Sequence, residues 1–290
     1  MSAEGLRPSL NTEGRRPPLN KDTIVCISLA SRPSNHGTRF HNYLYDKLGL
    51  DFLYKAFTTT DIAAAIGGVR ALGIRGCSVS MPFKQDVMAL VDEIEPSARA
   101  IDAVNTIVND LSVPGGYLVA SNTDYIAVQT LIEQHGLAKD DPVLILGSGG
   151  MANAVGAAFR DKGFRRGTIV ARNRDTGSAL ASRLGYDYAP EVGDRTAPVL
   201  VNVTPIGMAG GPDAQRSAFG PQTVAAAAVV FDVVAMPAET PLISAARAAG
   251  KPVITGAQVI ALQAAEQFER YTGVRPTAEQ VAEASAFSRA

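Results

Sequence analysis

Near the middle of the sequence, a short apolar run leads directly into four small residues and then into an alanine-rich stretch. Val143–Leu146 is apolar throughout, as expected for a strand that is covered on both faces of a parallel sheet. Gly147-Ser148-Gly149-Gly150 follows at once, and Met151–Lys162 has the composition of a helix. Such a loop lets the backbone approach a pyrophosphate, which the unpaired N–H groups of the helix N-terminus attract. The sequence therefore predicts a dinucleotide site, with a tight turn that binds no ligand as the alternative.

The residues after the next predicted strand favour one dinucleotide over the other. NAD binding favours an acidic residue at the end of that strand, whereas a guanidinium can hold the 2′-phosphate of NADP. Here Thr168–Ala171 is followed by Arg172-Asn173-Arg174, and the first acid is Asp175. NADP is therefore the expected cofactor. The sequence does not decide between the two arginines, although Arg174 beside Asn173 has the better register; two solvated arginines at a loop are the alternative.

Further apolar runs in the second half of the chain have the same buried character. We expect strands at Thr168–Ala171, Val199–Val203, Val229–Val233 and Pro252–Thr255, with helices or loops between them. This alternation is typical of a parallel sheet with helices on both faces. We therefore predict a Rossmann-type NADP-binding domain over residues 123–255, which opens with a helix at Thr123–His135.

The first part of the chain predicts a mixed sheet. The expected elements are strands at Thr23–Ser28, Phe52–Phe57 and Arg75–Val79, helices at Thr38–Leu48, Thr60–Leu72 and from Met81 onward, and a hairpin of Asn105–Asn109 with Tyr117–Ser121. Closing helices are expected at Ala257–Tyr271 and Thr277–Phe287. The predicted fold is thus α/β with two domains and a cleft between them. Residues 21–122 and 256–290 form the substrate-binding (catalytic) domain, and residues 1–20 form a flexible leader.

Composition narrows the class of partner. The formal net charge of −1 gives no general attraction to nucleic acid or to an anionic membrane surface, and no apolar run reaches the roughly 18 residues of a spanning helix. The two cysteines, Cys26 and Cys77, lie in apolar runs and are expected to be buried free thiols in a reducing cytoplasm, with one disulfide between them as the alternative. The three histidines are too scattered for a typical zinc site. We expect a cytoplasmic, metal-free monomer or homodimer that acts on a small molecule.

Several polar residues follow predicted strands, where α/β proteins place their ligands. Lys84 is expected in the first turn of a helix, where its charge opposes the macrodipole, and a solvated side chain is the alternative. Asp124 begins the helix after the hairpin and could simply cap it. Asn105 could start a turn, and Asn42 could be an ordinary helix-surface residue. Taken singly, none of them identifies a site.

Together these segments resemble the shikimate dehydrogenases over about Thr23–Phe287. The resemblance is carried by an ordered set of motifs: His41-Asn42, Ser78-Val79-Ser80-Met81-Pro82-Phe83-Lys84, Ala103-Val104-Asn105-Thr106, Asn122-Thr123-Asp124, Gly147-Ser148-Gly149-Gly150, Asn173-Arg174-Asp175, Asn202-Val203-Thr204-Pro205-Ile206-Gly207-Met208, Asp232, Pro237, Thr240-Pro241-Leu242, Gly256 and Gln263. Because so many short motifs occur in the same order as in that family, the resemblance is specific. Residues 25–125 and 255–290 are most similar to the divergent branch of shikimate dehydrogenase-like proteins.

The resemblance implies reversible hydride transfer between NADPH and the carbonyl of 3-dehydroshikimate, a reaction of aromatic amino acid biosynthesis. Lys84 would bind the reacting oxygen and stabilise its developing charge, and Asp124 would orient the lysine and accept a hydrogen bond from a substrate hydroxyl. Asn105, Gln263 and Ser80 would bind ring hydroxyls. The residues implied in cofactor binding are Gly147, Ser148, Gly149, Gly150, Met151, Asn173, Arg174, Thr204, Gly207, Met208 and Gly256.

Several departures from the family pattern lie on the substrate side. The two serines that bind the substrate carboxylate in the family fall here on Asn35 and Gly37, and Ser34 substitutes only if the loop shifts its register. The family's asparagine and threonine before the lysine are Ser78 and Ser80. A usual tyrosine is Ala235, and a usual glycine after the aspartate is Tyr125. Losing polar partners should relax or redirect substrate specificity.

These observations leave three functions open. The first is an NADP-dependent dehydrogenase of shikimate or a related cyclic hydroxy acid. The second is a quinate or shikimate-type dehydrogenase that uses NAD, against which the missing acid after the second strand argues. The third is a dinucleotide-binding regulator without turnover, against which the intact Lys84 and Asp124 argue.

Overall fold

The computed structural model describes residues 16–289, which form two compact units. The first unit contains the described residues up to Thr123 and those from Ala261 onward, and the second unit is Asp124–Ile260. The second boundary therefore lies a few residues beyond the expected one at Gly256. The reason is local: a Cβ at Gly256 would lie 2.3 Å from the carbonyl oxygen of Val233, so this residue packs on the second unit.

The elements alternate along the chain as expected for an α/β protein. Up to the first boundary they are β1 Ile24–Ala30, α1 His36–Lys47, β2 Phe52–Thr58, α2 Ile62–Ala71, β3 Gly76–Val79, a 3₁₀ helix Asp86–Leu90, β4 Glu93–Ile94, α3 Pro96–Arg99, β5 Thr106–Asp110 and β6 Tyr117–Ser121. They continue with α4 Thr123–Gln134, β7 Val143–Leu146, α5 Gly150–Asp161, β8 Gly167–Val170, α6 Arg174–Leu184, β9 Asp187–Ala189, β10 Val199–Asn202, α7 Pro221–Ala226, β11 Val229–Asp232, α8 Pro241–Ala248, β12 Val253–Thr255, α9 Gly256–Thr272 and α10 Ala278–Arg289.

The sheet of the first unit is mixed, with strand order β2-β1-β3-β5-β6-β4. β1 pairs in parallel with β2 and β3, whereas β5 pairs antiparallel with β3 and β6. Alternate residues of the strands serve opposite faces. Ile27 packs with Ile66 of α2 on one face, and Cys26 packs with Phe40 of α1 and Phe268 of α9 on the other. Because both faces are covered, the strand ends and the loops remain for polar chemistry.

The sheet of the second unit is parallel throughout, with strand order β12-β11-β10-β7-β8-β9. β7 lies in the middle of this sheet. The next two strands along the chain, β8 and β9, lie on one side of it, and β10, β11 and β12 lie on the other. The change of direction at β7 makes the carboxyl end of this strand the usual ligand position in doubly wound sheets. The predicted α/β fold, with a mixed sheet and a Rossmann-type sheet, is confirmed.

One predicted element is wrong. The helix expected to open at Met81 is absent: residues 81–85 form turns, and only the 3₁₀ helix Asp86–Leu90 follows. Phe83 explains this, because its side chain is buried in the core and the local backbone follows that packing rather than helix propensity. Lys84 therefore does not oppose a helix macrodipole.

Of the expected leader, the structure describes residues 16–20. Residues 1–15 lie outside the described residues, and Arg16 is held against the first unit. Its guanidinium donates to the side-chain oxygen of Asn42 (3.2 Å) and to the carbonyl of Phe52 (3.1 Å), and it pairs with Asp46 (3.0 Å). The expectation of a leader without packing contacts is thus wrong for Arg16, because α1 and β2 present acceptors to this guanidinium. Between residues 16 and 289, no helix is long and apolar enough to cross a membrane.

Candidate active site

The glycine loop after β7 contains glycines that are needed for different reasons. Gly147 has a φ of 128°, and a Cβ there would lie 2.8 Å from Cγ2 of Val203. The protein itself therefore requires this glycine. At Gly149 and Gly150, by contrast, no atom other than those of the adjacent residues and of the first turn of α5 lies within 4 Å of the Cβ position. Since packing does not require glycine there, close approach of a ligand to the first turn of α5 is the better reason for it.

A cavity of about 700 Å³ adjoins this loop, within the second unit. It lies at the carboxyl ends of β7, β8 and β10, which is the ligand position that the topology predicts. Its walls are formed by Leu146, Gly147, Ser148, Gly149, Val170, Ala171, Arg172, Asn173, Val203, Thr204, Pro205, Ile206, Asp213 and Arg216. The cavity has the size of a typical small-molecule site.

The structure distinguishes between the two arginines after β8. Arg172 and Asn173 line the cavity, whereas Arg174, which the sequence register favoured, does not. Asn173 caps α6 by accepting a hydrogen bond from the backbone N–H of Thr176 (3.2 Å), so the chain turns into the helix at this point. The hydroxyl of Thr176 also lies 2.7 Å from that of Ser148 in the glycine loop. Gly150 and Met151 continue from the loop into α5 and are not part of the wall.

A buried carboxylate supports the loop after β10. Asp232 accepts hydrogen bonds from the side-chain amide of Asn202 (3.0 Å), the N–H of Val234 (3.0 Å) and the hydroxyl of Thr240 (2.6 Å). Burial raises the pKa of Asp232, and these three donors oppose that rise. Asn202 in turn accepts a hydrogen bond from the hydroxyl of Thr204 (2.6 Å). The network therefore holds Thr204 in place on the cavity wall.

Three expected cofactor residues have other local roles. Gly207 has a φ of 89°, which suits glycine, and its N–H donates to the carbonyl of Asp213 (3.0 Å). Met208 is 42% exposed. Gly256 is explained by its close backbone contact with Val233. None of Gly207, Met208 and Gly256 lines the cavity over the glycine loop, so their assignment to the cofactor rests on the family resemblance.

Lys84, in the first unit, is half-buried and its backbone is fixed to a neighbouring segment. Its carbonyl accepts a hydrogen bond from the N–H of Val104 at 2.7 Å. The preceding Phe83 is buried in the core, and the N–H of Ser80 donates to the carbonyl of Leu29 at 2.9 Å. The turn that carries Lys84 is therefore held on both sides.

Asn105 connects this segment to the start of α4. Its side-chain oxygen accepts hydrogen bonds from the N–H of Thr123 (2.8 Å), the hydroxyl of Thr123 (3.1 Å) and the hydroxyl of Thr106 (2.8 Å). A backbone N–H can only donate, so the amide oxygen must lie on this side. The amide nitrogen is buried and has no hydrogen-bond partner among residues 16–289. A buried unpaired donor costs about 1–3 kcal/mol, which a bound hydroxyl or carboxylate acceptor would relieve.

Asp124 follows Thr123 directly and is half-buried in the first turn of α4. A carboxylate is favourable there because the helix N-terminus carries partial positive charge. Tyr125, which stands where the family usually has glycine, donates its hydroxyl to Asp161 (2.7 Å) and accepts a hydrogen bond from Gln129 (2.7 Å). Burial raises the pKa of Tyr125, which keeps the hydroxyl protonated as a donor. This tyrosine thus connects α4 to the end of α5.

Two glutamines on α9 approach the same region of the first unit. Gln263, an expected substrate residue, is half-buried. Gln267 lies one turn later on the same helix face and is 5% exposed. Its side-chain nitrogen donates to the hydroxyl of Thr106 at 2.9 Å, so it supports the amide of Asn105 through one intervening residue. Gln267 was not predicted from the sequence, although its spacing of four residues from Gln263 places both side chains on one face of a helix.

The residues expected to bind a substrate carboxylate lie at the start of α1. Ser34 and Asn35 are exposed, and Asn35 occupies the N-cap position without a side-chain capping bond. A Cβ at Gly37 would lie 3.4 Å from the ring and hydroxyl of Tyr54, an ordinary van der Waals distance. Ser80 is exposed directly after β3. Packing therefore allows a Cβ at position 37, where the family resemblance expects a serine and this chain has glycine.

The motif His41-Asn42 has a structural role. His41 is fully buried and stacks on Tyr54 with ring centroids 4.4 Å apart. Burial lowers the pKa of His41 to about 3, so the ring is neutral at physiological pH. Asn42 bonds both the N–H (3.1 Å) and the carbonyl (2.8 Å) of Tyr54, which joins α1 to β2. These bonds exclude the view of Asn42 as an ordinary helix-surface residue.

Asp213 and Arg216 are the charged residues of the cavity wall that were not predicted from the sequence. They lie in the segment between β10 and α7, where no periodic pattern or family motif marks them. Cys26 and Cys77 are buried and free, as expected. Within the described part of the chain, no group of three or more His, Cys, Asp and Glu residues is arranged to hold a metal ion.

The chain is similar to known proteins over most of its length. The family model of the shikimate dehydrogenase substrate-binding domain matches residues 36–107. A shikimate dehydrogenase-like protein of Haemophilus influenzae is 59% identical over 271 residues, which cover 93% of this chain and 98% of that protein. The solved structure of a shikimate 5-dehydrogenase-like protein superposes with a TM-score of 0.91 at 58% identity, covering 94% of this chain and 100% of that one.

A more distant structure is that of shikimate 5-dehydrogenase from Thermus thermophilus in complex with NADP(H) and shikimate. It superposes with a TM-score of 0.79 at 28% identity, covering 91% of this chain and 99% of that one. These similarities span both units rather than one. The chain therefore belongs to the shikimate dehydrogenase family, on its divergent branch of shikimate dehydrogenase-like proteins.

Proposed function

We propose that this protein is an NADP-dependent oxidoreductase that interconverts shikimate and 3-dehydroshikimate, with Lys84 and Asp124 as its catalytic pair. The observation that carries the proposal is the Val104-Asn105 segment. It anchors the backbone of Lys84 and that of Thr123, the residue before Asp124, and it leaves one buried amide donor for a ligand. An ammonium, a carboxylate and an amide donor would together suit a polyhydroxylated substrate with a reacting carbonyl.

The second unit fits the proposed cofactor. Open space over Gly149, the N-terminus of α5 and a cavity of about 700 Å³ suit a pyrophosphate and its nucleoside. Arg172 on the cavity wall suits a 2′-phosphate, and no acid stands before Asp175 to favour the NAD ribose. Bound NADP would supply the hydride acceptor or donor. The roles of Gly207, Met208 and Gly256 near the nicotinamide belong to this proposal.

The catalytic roles follow from charge. The ammonium of Lys84 would donate a hydrogen bond to the reacting oxygen and so lower the energy of the charge that develops on it. The carboxylate of Asp124 would accept a hydrogen bond from a substrate hydroxyl and help to orient the lysine. The side-chain nitrogen of Asn105 would donate a hydrogen bond to the oxygen of a ring hydroxyl. Gln263 and Ser80 would bind the remaining hydroxyls.

Altered specificity is also part of the proposal. Gly37 offers no hydroxyl where the family has a serine, Asn35 replaces the other serine, and Ala235 replaces a tyrosine. Each change removes or alters a polar partner of the substrate. A site discriminates strongly against an analogue only where it would leave a buried polar group unpaired. We therefore expect a higher KM for shikimate than in relatives with both serines.

The test is a substrate panel. Purified protein is mixed with shikimate, quinate or aminoshikimate and with NADP+ or NAD+, and the reduced-nicotinamide absorbance is followed. Turnover of shikimate with NADP+ is expected. Turnover of quinate with NAD+ alone would favour the second dehydrogenase function. Binding of NADP+ without turnover of any of the three acids would contradict the proposal and indicate a dinucleotide-binding regulator.

A further inference from the structure

We propose that Arg216 supplies a second guanidinium, beside that of Arg172, for binding the adenosine 2′-phosphate of NADP. Asp213 weakens this binding because its carboxylate pairs with the same guanidinium. The inference rests on the proposed cofactor. Arg172 lies on the wall that follows β8, and Arg216 lies on the wall that follows β10, with the glycine loop of β7 between these strands in the sheet. Both arginines line one cavity.

Arg216 is available to a ligand at low cost. Its guanidinium bonds the carboxylate of Asp213 at 2.6 Å, and its side chain is 68% exposed. Exposed ion pairs of this kind contribute only about 0–1 kcal/mol. A phosphate dianion offers three acceptor oxygens and more charge than one carboxylate. Arg216 can therefore exchange this partner for a phosphate with a net gain.

The backbone that carries the pair does not depend on the two side chains. The carbonyl of Asp213 accepts hydrogen bonds from the N–H of Gly207 and the N–H of Arg216, both at 3.0 Å. The N–H of Gly211 donates to the carbonyl of Met208 at 3.1 Å. Because these bonds involve backbone atoms only, substitutions at positions 213 and 216 should leave the segment folded.

Charge predicts opposite effects for the two residues. Arg172, Arg216 and Asp213 are the charged residues of the cavity wall, which leaves one net positive charge. Arg216→Ala removes a cation from the wall and should weaken the binding of phosphorylated ligands. Asp213→Asn removes the anion and releases Arg216, so it should strengthen that binding. A role in loop folding alone would weaken binding in both variants.

The experiment measures the Kd of NADP+, NAD+ and adenosine 2′,5′-bisphosphate by titration calorimetry at two salt concentrations. Arg216→Ala is expected to raise the Kd of NADP+ and of the bisphosphate roughly tenfold and that of NAD+ much less. Asp213→Asn is expected to lower the Kd of NADP+ about threefold at low salt, with a smaller effect at high salt. The matched controls are Arg247→Ala and Glu239→Gln, an exposed ion pair (3.2 Å) in the same unit and off the cavity wall.

The outcomes separate the two proposals. If the unsubstituted protein binds NADP+ but Arg216→Ala binds it equally well, the inference is overturned and the proposed cofactor stands. The inference is also overturned if Arg216→Ala and Asp213→Asn weaken binding alike, or if the control pair produces the same effects. Failure of the unsubstituted protein to bind either dinucleotide would overturn the proposed cofactor and the inference with it.

Discussion

Gly37 lies in the first turn of α1, where a side chain would meet the ring of Tyr54 at an ordinary contact distance of 3.4 Å. Its neighbour Asn35 is exposed and makes no capping bond with its side chain. Neither residue is therefore required by the packing around it. Under the proposed function, the departures from the family pattern at these two positions would change the polar groups available to a substrate without changing the packing of α1.

Because packing does not require Asn35 or Gly37, serines at these positions should improve the binding of shikimate without disturbing the fold. The double variant Asn35→Ser, Gly37→Ser should lower the KM for shikimate by roughly 5–150-fold, because two hydroxyl donors would contribute about 0.5–1.5 kcal/mol each. The kcat should change less, since the added groups bind substrate and transition state alike. Steady-state kinetics at saturating NADP+ measures both constants. A KM that rises or stays constant would show that the substrate carboxylate is bound elsewhere.

At the scale of elements, two glycines of the loop after β7 are expected to matter for different reasons: Gly147 for stability and Gly149 for cofactor binding. Gly147→Ala places a methyl group 2.8 Å from Val203 at a φ of 128°, so it should destabilise the second unit by about 1–3 kcal/mol. Gly149→Val extends into open space, so it should leave stability unchanged while weakening NADP+ binding. Urea unfolding and NADP+ titration test both variants. Loss of stability in Gly149→Val would remove the argument for a ligand at that position.

The elements themselves were predictable to different degrees. The strand Val143–Leu146 was predicted with its observed bounds, because a strand buried on both faces is a continuous apolar run. β9 was missed because it has only three residues and exists through its pairing with β8. The turn at Lys84 was mistaken for a helix start, because the burial of Phe83 outweighs the local pattern.

The candidate site was less accessible to sequence reasoning than the strands. The individual residues Lys84, Asn105 and Asp124 could be named from their motifs. The support of Asn105 by Gln267 through Thr106 could not, because Gln267 lies 161 positions from Thr106. Arg216 carries no local signal, since only the fold brings its loop to the wall of the cavity.

At the scale of the whole molecule, buried His41 links stability to pH. Burial lowers its pKa to about 3 in the folded protein, against 6.5 as the ordinary value. The unfolded chain therefore binds a proton between these values while the folded chain does not. The stabilising effect of a neutral His41 is complete above pH 6.5 and is lost as the pH falls towards 3.

The expected result is a loss of about 3–5 kcal/mol in the free energy of unfolding from this group over that range. His41→Phe fits the surrounding aromatic cluster and should show a flatter dependence of unfolding on pH than the unsubstituted protein. His135→Gln serves as the control and should retain the original slope. Urea unfolding at several pH values gives these slopes. An unchanged slope in His41→Phe would contradict the assignment.

The role of Lys84 is tested by the kcat of shikimate oxidation by NADP+ in the unsubstituted protein and in Lys84→Met, measured beside the Kd of NADP+. Lys84→Met is expected to lower kcat by about 10²–10⁴-fold, because the developing charge on the reacting oxygen loses its cation. The Kd of NADP+ should stay within about twofold, since Lys84 is not on the wall of the nucleotide cavity. A Lys84→Met protein that turns over shikimate at the original rate would contradict the proposed catalytic role of Lys84.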